Sequence, residues 1–355
     1  MNPLATDLDF ILRQTASLWS DLRGERLFIT GGTGFFGCWL LESLVWANDQ
    51  LGLEAHVVAL TRDPSTFARK VPHIAFHPAV TLLEGDVRSF AFPSGNFSHI
   101  IHAATDADAE MIVSQPLAIL DTTVDGTRRV LDFAIACRAK RFLLTSSGAI
   151  YGIQPSELTH LTEDYLGAPD TMGIASSYGE GKRISELLCA TYSRKCSVET
   201  VIARCFAFFG PYLPLDKHYA IGNFLRDGMQ HKPIQINGDG SSRRSYLYAA
   251  DLTVWLWTLL FRGRISRSYN VGSEDDMSIA DLAYAVAEMF GGLPVEIAKV
   301  LEYGKTVQRY VPSTARARGE LHLTNATPLT VGLEKSITWY RHQESITQTR
   351  PWLRR

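Results

Sequence analysis

Cysteine is scarce in this chain, and its spacing matches no redox or metal motif. The five cysteines include no Cys-x-x-Cys pair, and no group of histidines and cysteines has the spacing of a zinc site. An odd number of cysteines without such a motif is typical of buried free thiols in a reducing compartment. We therefore expect a cytoplasmic protein that holds neither structural disulfides nor a metal ion.

Long apolar runs and an excess of positive charge are also missing. The apolar run at 252–261 is far too short to span a bilayer, and Asp7 and Asp9 precede any apolar run, which does not fit a secretory signal. A formal net charge of −2 indicates no nucleic-acid-binding surface. We expect neither membrane nor nucleic-acid partners. The 355 residues suffice for one large domain or two closely packed ones.

Residues 6–22 carry apolar side chains at helical spacing, which predicts one amphipathic helix beside the first strand. The apolar stripe consists of Leu8, Ile11, Leu12, Leu18, Trp19 and Leu22, and Thr15 is the one polar residue within it. Residues 1–24 would then form a helical extension ahead of the main fold.

A glycine-rich turn directly follows the first predicted strand, 26–30, and precedes an apolar helix at 38–47. The turn reads Gly31-Gly32-Thr33-Gly34-Phe35-Phe36-Gly37. Glycines between a strand and a helix allow a tight turn and let backbone N–H groups approach a pyrophosphate, which the helix amino terminus also favours. This context predicts dinucleotide binding.

The second predicted strand, 56–61, ends in Thr61 rather than in the acidic residue that grips a ribose 2′-hydroxyl. Arg62 follows, and a guanidinium there fits a 2′-phosphate, which favours NADP. Asp63 one position later keeps NAD open, and a solvated Arg62 is an equally simple interpretation.

Further strands are predicted at 81–84, 98–102 and 142–145, with a helix at 127–138. Strands that alternate with helices predict an α/β fold with a doubly wound parallel Rossmann sheet, whose ligand lies at the strand carboxyl ends. Gly31, Asp86, His102 and Ser146 all fall at such ends.

Tyr178 and Lys182 are four residues apart and share one face of a predicted helix. An ammonium group beside a phenol stabilises the phenolate and lowers the pKa of the tyrosine, which makes it a usable general base near neutral pH. Such a pair alone is common on surface helices. Its interpretation depends on the glycine turn and on the serine-rich strand end upstream.

Together with the turn and with 146–152 (Ser-Ser-Gly-Ala-Ile-Tyr-Gly), this pair resembles the extended short-chain dehydrogenase/reductases, specifically the NAD-dependent epimerase/dehydratase family that acts on nucleotide sugars. Further matches lie at 126–127, 204–206, 210–211, 238–240, 244–246, 248–251 and 269–272. The resemblance implies a Rossmann domain at 25–205 and a smaller, mainly substrate-binding domain at 206–355, from which 269–272 returns to the sheet. It also implies a homodimer.

The resemblance implies a site as well. Ser147 matches the hydroxyl that hydrogen-bonds the reacting sugar oxygen, Tyr178 matches the base, and Lys182 also holds the nicotinamide ribose. The substrate, a nucleotide-diphosphate sugar, would contact Ser147, Asn223 and Arg244, the last through its diphosphate. The cofactor, NADP or NAD with NADP favoured, would contact Gly31, Thr33, Gly34, Phe35, Phe36, Gly37, Arg62, Asp86, Val87, Ala103, Ala104, Tyr178 and Lys182.

Three places depart from the family pattern. Ala207 and Thr123 stand where the family often has asparagine. Gly148 and Ala149 stand where 4,6-dehydratases resemble one another in carrying Asp-Glu, and related decarboxylases carry Glu at the second position. Dehydration needs an additional base and acid. We therefore expect hydride transfer at one sugar carbon, C4, through a keto intermediate, as in an epimerase or ketoreductase.

Two alternatives stay open. A dehydratase or decarboxylase would need a carboxylate from elsewhere, for which Asp106, Asp108 and Glu110 are candidates, although a solvated acidic loop explains them as well. A non-catalytic dinucleotide-binding sensor is the other alternative, but such proteins usually lose the tyrosine or the lysine.

Overall fold

The computed structural model describes residues 2–105, 109–196, 198–217, 219–300, 304 and 306–349. The strands are β1 (Arg26–Thr30), β2 (His56–Thr61), β3 (Val80–Glu84), β4 (His99–His102), β5 (Arg141–Ser147), β6 (Glu199–Cys205), β7 (Phe208–Phe209), β8 (Ile234–Ile236), β9 (Arg243–Ser245), β10 (Leu247–Tyr248), β11 (Arg267–Val271), β12 (Asp276–Ser278), β13 (Val295–Ile297) and β14 (Arg309–Tyr310). The α-helices are α1 (Ala5–Gln14), α2 (Phe35–Leu51), α3 (Pro64–Lys70), α4 (Pro72–Ala75), α5 (Ala109–Ser114), α6 (Pro116–Ala136), α7 (Ser177–Cys196), α8 (Ala220–Met229), α9 (Ala249–Arg262), α10 (Ile279–Met289), α11 (Ala315–Leu321) and α12 (Leu329–Thr349).

Seven of the strands form one parallel sheet in the order β11-β6-β5-β4-β1-β2-β3. The chain leaves β1 toward β2 and β3 on one side and continues with β4 on the other, so the strand order reverses between β1 and β4. Ligands of doubly wound sheets bind outside the strand carboxyl ends at such a point. The predicted fold class is confirmed.

The sheet is buried on both faces, and β1 shows how its sequence achieves this. Alternate strand residues point to opposite faces. Leu27 and Ile29 therefore lie in the core that contains α2 and α9, whereas Phe28 lies in the core formed with α6, its ring centroid 4.8 Å from that of Phe133. Full burial of each such side chain contributes about 1.5–3 kcal/mol before the entropic cost.

The single helix predicted over 6–22 is wrong in length, because α1 ends at Gln14. The Thr15 hydroxyl donates back to the Ile11 carbonyl at 2.5 Å, and a separate 3-10 turn covers Trp19–Leu22. The break allows Trp19 to pack edge-on against Trp257 of α9, with ring centroids 5.3 Å apart. The amino-terminal segment is thus an integral part of the core.

Residues beyond β6 contribute both to the main sheet and to smaller ones. Strand β11 pairs with β6 at the sheet edge, and α9 packs on β5 and β6. The other strands of the described residues form three small sheets, and the sheet of β9, β12 and β14 carries Arg244 and Tyr310 of the site described below. No helix in the described part of the chain is long and apolar enough to cross a membrane.

Candidate active site

The predicted trio of Ser147, Tyr178 and Lys182 meets at the carboxyl end of β5. Ser147 is the last residue of that strand, and Tyr178 and Lys182 lie in the first two turns of α7. The Ser147 hydroxyl interacts with the Tyr178 phenol and acts to lower the pKa of Tyr178. The Nζ of Lys182 lies 5.9 Å from the Tyr178 ring centroid. The structure therefore brings the three side chains together.

Lys182 is only 2% exposed, and its Nζ donates to the Thr145 carbonyl at 2.8 Å. Burial lowers the pKa of Lys182 to about 8, which leaves the ammonium form predominant at pH 7. Behind it, His102 is buried between Thr30 and Thr127, with ring nitrogens 2.7 Å and 3.1 Å from their hydroxyls. Burial, assisted by the Lys182 charge, lowers the pKa of His102 to about 3, so this imidazole is neutral at pH 7.

The predicted lowering of the Tyr178 pKa is wrong in this structure. Burial raises the pKa of Tyr178 above its ordinary value, and the interaction with Ser147 opposes this rise. The physical reason is that the ammonium is directed at the Thr145 carbonyl rather than at the phenol, so desolvation dominates.

A partly buried ionic network stabilises this end of the sheet, and the sequence analysis did not identify it. Glu186 accepts from the Ser146 hydroxyl at 2.6 Å and from Arg204 Nη2 at 2.8 Å, and Arg204 Nη1 donates to the Tyr151 hydroxyl at 2.9 Å. The network joins α7 to β5 and β6 and so fixes where Tyr178 and Lys182 stand. The available signal was the position of Glu186, one helical turn after Lys182 on the same face.

The glycine turn is shaped by contacts that no side chain would permit. Gly31 has φ +68°, and a Cβ there would lie 2.6 Å from the Ala103 carbonyl group. A Cβ on Gly37 would lie 2.3 Å from backbone atoms of Gly31 and Gly32. Gly34 precedes α2 without a side-chain cap, which leaves the first N–H groups of the helix directed at the turn. This cradle fits an anionic pyrophosphate.

Five of the other predicted cofactor residues have structural contacts in or near the turn. Thr33 and Thr61 hydroxyls are 3.2 Å apart, and Phe36 packs edge-on against Phe208 with ring centroids 5.2 Å apart. Val87 fills the space beside Gly126, where a Cβ would meet it at 2.9 Å. Phe35 packs partly buried against the same core as Phe36, and the Ala104 N–H donates to the Thr30 hydroxyl at 3.1 Å.

Two arginines flank Asp86 at the ends of β2 and β3. Arg88 donates to the Asp86 carboxylate at 2.9 and 2.7 Å, and with the more distant charge of Arg62 it holds the pKa of Asp86 at about 2. Asp63 accepts from the Thr66 N–H at 2.9 Å as the cap of α3. Asp63 thus has a local structural role, and Arg88 is a basic residue that the sequence analysis missed.

On the opposite side of Ser147, a cluster of side chains comes from distant segments. Tyr310 of β14 stacks on Phe206 with ring centroids 4.7 Å apart, and the Arg244 guanidinium lies 5.8 Å from the Tyr310 ring centroid. We call Gly148, Phe206, Arg244 and Tyr310 the sugar-side cluster. Arg244, predicted to contact a diphosphate, is therefore close to Ser147 in space, whereas Phe206 and Tyr310 were not singled out as site residues.

Asn223 is engaged elsewhere. In the amide orientation that satisfies its surroundings, it donates to the carbonyls of Lys217 at 2.9 Å and Leu215 at 3.2 Å. Tyr219, directly ahead of α8, instead approaches Tyr178 and adds to the raised pKa of that phenol. Of the acidic candidates, Glu110 is exposed on α5, and Asp106 and Asp108 lie outside the described residues. Within the described ranges, no three His, Cys, Asp or Glu side chains are grouped to hold a metal.

A parallel doubly wound sheet with a glycine turn and a Ser-Tyr-Lys trio defines a dinucleotide-fold protein of the short-chain dehydrogenase/reductase class. Residues 27–272 match the NAD dependent epimerase/dehydratase family, and the chain belongs to that enzyme family. UDP-glucuronic acid decarboxylase 1 of Xenopus tropicalis is 29% identical over 320 residues, which cover 90% of this chain and 73% of the relative. UDP-glucuronic acid decarboxylase 2 of Arabidopsis thaliana is 30% identical over 267 residues, covering 75% and 57%.

Solved structures share the fold at lower identity. A UDP-glucose 4-epimerase of Thermotoga maritima, determined with UDP-glucose, has a TM-score of 0.76 at 20% identity and covers 90% of this chain and 99% of its own. The dTDP-glucose 4,6-dehydratase DesIV of Streptomyces venezuelae, determined with NAD and TYD, has a TM-score of 0.76 at 22% identity, covering 90% and 98%. The predicted family is thereby confirmed, and three different reactions occur among these relatives.

Proposed function

We propose that this protein oxidises and reduces a nucleotide-diphosphate sugar at one carbon, C4, with NADP or NAD as cofactor. The observation that carries the proposal is the meeting of Ser147, Tyr178 and Lys182 beside two residues, Gly148 and Ala149, that have no ionisable side chain. The relatives support the substrate class, since they include enzymes named for UDP-glucuronic acid and UDP-glucose.

Each side chain has a distinct task in this chemistry. Tyr178, once ionised, accepts the proton of the sugar hydroxyl, and Ser147 orients the sugar oxygen. The Lys182 ammonium lies 5.9 Å from the Tyr178 ring centroid, where its positive charge favours the phenolate without overcoming the burial that raises the pKa of Tyr178. The bound nicotinamide supplies the hydride acceptor. Return of the hydride to the other face of the keto sugar gives an epimer, and release of the keto sugar gives a dehydrogenase.

Decarboxylation is the second candidate, and the relatives named UDP-glucuronic acid decarboxylase favour it. Oxidation at C4 of a sugar with a C6 carboxylate gives a β-keto acid. Its C5–C6 bond breaks, carbon dioxide leaves, the electron pair forms an enolate, and a proton then adds at C5. Ala149 stands where the decarboxylase pattern has glutamate, so we rank decarboxylation below hydride transfer without loss of carbon dioxide.

The test is the product mass from uridine-, thymidine-, guanosine- and cytidine-linked hexoses and hexuronic acids. Epimerisation leaves the mass unchanged, and reduction of a keto sugar adds two hydrogens. Loss of one water would establish a dehydratase, and loss of carbon dioxide a decarboxylase. If the absorbance of the purified protein shows no nicotinamide reduction with any sugar nucleotide, the sensor alternative replaces the enzyme.

A homodimer is part of the proposal. Leu117 on α6 and Ile184 and Leu187 on α7 are exposed apolar side chains, with Leu187 66% exposed. Apolar side chains on two adjacent helices suit burial against a second copy. Light scattering of the protein and of Leu187→Glu should show a dimer that dissociates in the variant. A monomeric starting protein would contradict the assignment.

A further inference from the structure

Tyr310 occupies space that a side chain at residue 148 would take. A Cβ built on Gly148 would lie 2.7 Å from the Tyr310 hydroxyl and 2.8 Å from the Phe206 ring. Tyr310 belongs to β14, which pairs with β9 in a small sheet outside the seven-stranded one. The phenol therefore reaches the end of β5 only because residue 148 is glycine.

The Tyr310 ring is held in place on two sides, by Phe206 at 4.7 Å between ring centroids and by the Arg244 guanidinium at 5.8 Å. The titratable groups that face it are Arg244 from β9, Cys205 from β6, Tyr151 beyond β5 and Tyr178 from α7. Burial raises the pKa of Tyr310 to about 12, with the Ser147 hydrogen bond opposing. At neutral pH this phenol is protonated and is available as a hydrogen-bond donor.

The hydrogen-bonding capacity of Ser147 then fixes the direction of its proton. A serine hydroxyl offers one donor and two acceptor positions. The Ala149 N–H donates to Ser147 Oγ at 3.1 Å and fills one acceptor position. Ser147 also acts to lower the pKa of two phenols, Tyr178 and Tyr310, and the Tyr310 hydroxyl lies beside the neighbouring residue Gly148. A Tyr178 phenolate can only accept, so Ser147 is the donor in any hydrogen bond between them, and Tyr310 is then the donor in a hydrogen bond to Ser147.

We propose that Tyr310 is a positioning residue of this active site. It donates to Ser147 Oγ, fills the second acceptor position, and so leaves the single Ser147 proton to the Tyr178 phenolate or to the reacting sugar oxygen. Gly148, which has no side chain, leaves the space that the Tyr310 hydroxyl occupies. In this chain a hydroxyl from the carboxyl-terminal half thus enters the space where dehydratases of the resembled pattern carry a carboxylate.

The inference deepens the proposed function and rests on it for its kinetic test, a double-mutant cycle with Ser147. Tyr310→Phe keeps the stacked ring and removes only the hydroxyl. It should lower kcat about 10-fold with KM nearly unchanged, and shift the limb of the pH–kcat profile that reports Tyr178 upward by about half a unit to one unit. In a Ser147→Ala background the same substitution should change kcat less than about twofold, because Tyr310 acts through Ser147.

Tyr340→Phe is the matched control, since the Tyr340 hydroxyl donates to the Leu213 carbonyl at 2.6 Å, away from Ser147. It should leave the pH profile unchanged. A full effect of Tyr310→Phe in the Ser147→Ala background would overturn the positioning role in favour of direct contact with substrate. An unchanged pH profile with a lowered melting temperature would overturn it in favour of packing alone.

A second measurement requires neither substrate nor cofactor. The protein is labelled with fluorotyrosine, and the fluorine resonances of Tyr310 and Tyr340 are assigned with the Phe variants. Ser147→Ala should shift the Tyr310 resonance and leave the Tyr340 resonance in place. If Tyr310 does not shift, the contact is absent and the inference fails. If it shifts while no sugar nucleotide is turned over, the proposed function fails and the Tyr310–Ser147 contact stands.

Discussion

On the turn side of the site, which comprises residues 31–37 and the strand ends that face them, glycines are confined by backbone atoms. A Cβ on Gly31 or Gly37 would approach backbone atoms to 2.6 and 2.3 Å. In the sugar-side cluster, Gly148 is confined by the side chains of Tyr310 and Phe206. Backbone atoms packed in a tight turn between a strand and a helix cannot shift without disturbing both elements, whereas side chains can change rotamer. The turn side is therefore fixed by the fold, and the sugar side can vary with a few substitutions.

The first prediction concerns Tyr178, where the two sides meet. Tyr178→Phe should lower turnover by about 10²–10⁴-fold, because it removes the general base. Folding and dinucleotide binding should be nearly unchanged, since the ring stays. Steady-state turnover and melting temperature measure both, with Tyr340→Phe as a control that leaves turnover intact. A variant that keeps most of its activity would remove Tyr178 from the mechanism.

The same contrast explains which parts of the site could be predicted from the sequence. The turn, the strands and the Ser-Tyr-Lys trio are encoded by short patterns, so they could be located before the structure. Tyr310 and Phe206 come from segments far apart in the chain, and no local period links them to Ser147. Arg88 was not predicted, because Arg62 and Asp63 directly follow the second strand, where a cofactor-binding residue is expected.

Two further discrepancies have physical causes that sequence spacing does not contain. The break of the predicted helix at Gln14 depends on a tertiary contact, the packing of Trp19 on Trp257. The raised pKa of Tyr178 depends on burial and on where the Lys182 ammonium points, and a four-residue spacing specifies neither.

The second prediction tests the contrast directly with two alanine substitutions. Gly37→Ala should destabilise the protein by about 1–3 kcal/mol or more and abolish dinucleotide binding, because the added methyl meets backbone. Gly148→Ala should cost less stability, because Tyr310 and Phe206 can move aside, but it should still lower turnover. Gly319→Ala in α11, where a Cβ meets nothing within 4 Å, is the control. A larger loss of thermal stability in Gly148→Ala than in Gly37→Ala would contradict the proposed difference between the two sides of the site.

The third prediction concerns acid stability of the sheet beneath the turn side. Burial lowers the pKa of His102 to about 3 and that of His99 to about 4, below the ordinary value of 6.5. Between about pH 6.5 and 4 the unfolded chain therefore binds more protons than the folded one. The free energy of unfolding is therefore highest above about pH 6.5. It decreases as the pH is lowered below that value, by at most about 1.4 kcal/mol per pH unit for each histidine.

Urea unfolding of the protein and of His102→Gln over this pH window measures the effect. The variant is less stable at pH 7 but should lose stability less steeply on acidification. His342→Gln, an exposed position on α12, should leave the slope as it is in the parent. Parallel slopes for the parent and His102→Gln would show that His102 does not remain neutral in the folded state.

The last and smallest predicted effect concerns cofactor choice at the edge of the turn side. Arg62 is exposed, and Arg88 already neutralises Asp86 through contacts of 2.9 and 2.7 Å. We expect the Arg62 guanidinium to attract an anionic 2′-phosphate of the cofactor here. Arg62→Ala should weaken NADP binding about 10-fold and change NAD binding little, since an exposed charge-assisted contact is worth about 1 kcal/mol or slightly more.

Arg69→Ala, at an exposed arginine that donates to the Thr66 hydroxyl at 2.8 Å, is the control. Fluorescence titrations with both cofactors at two salt concentrations measure the preference, and added salt should reduce the NADP advantage because surface charges are screened. Equal losses for NADP and NAD, or a clear preference of the parent protein for NAD, would show that Arg62 does not select the cofactor, and the pairing of Asp86 with Arg88 would then be a purely structural contact.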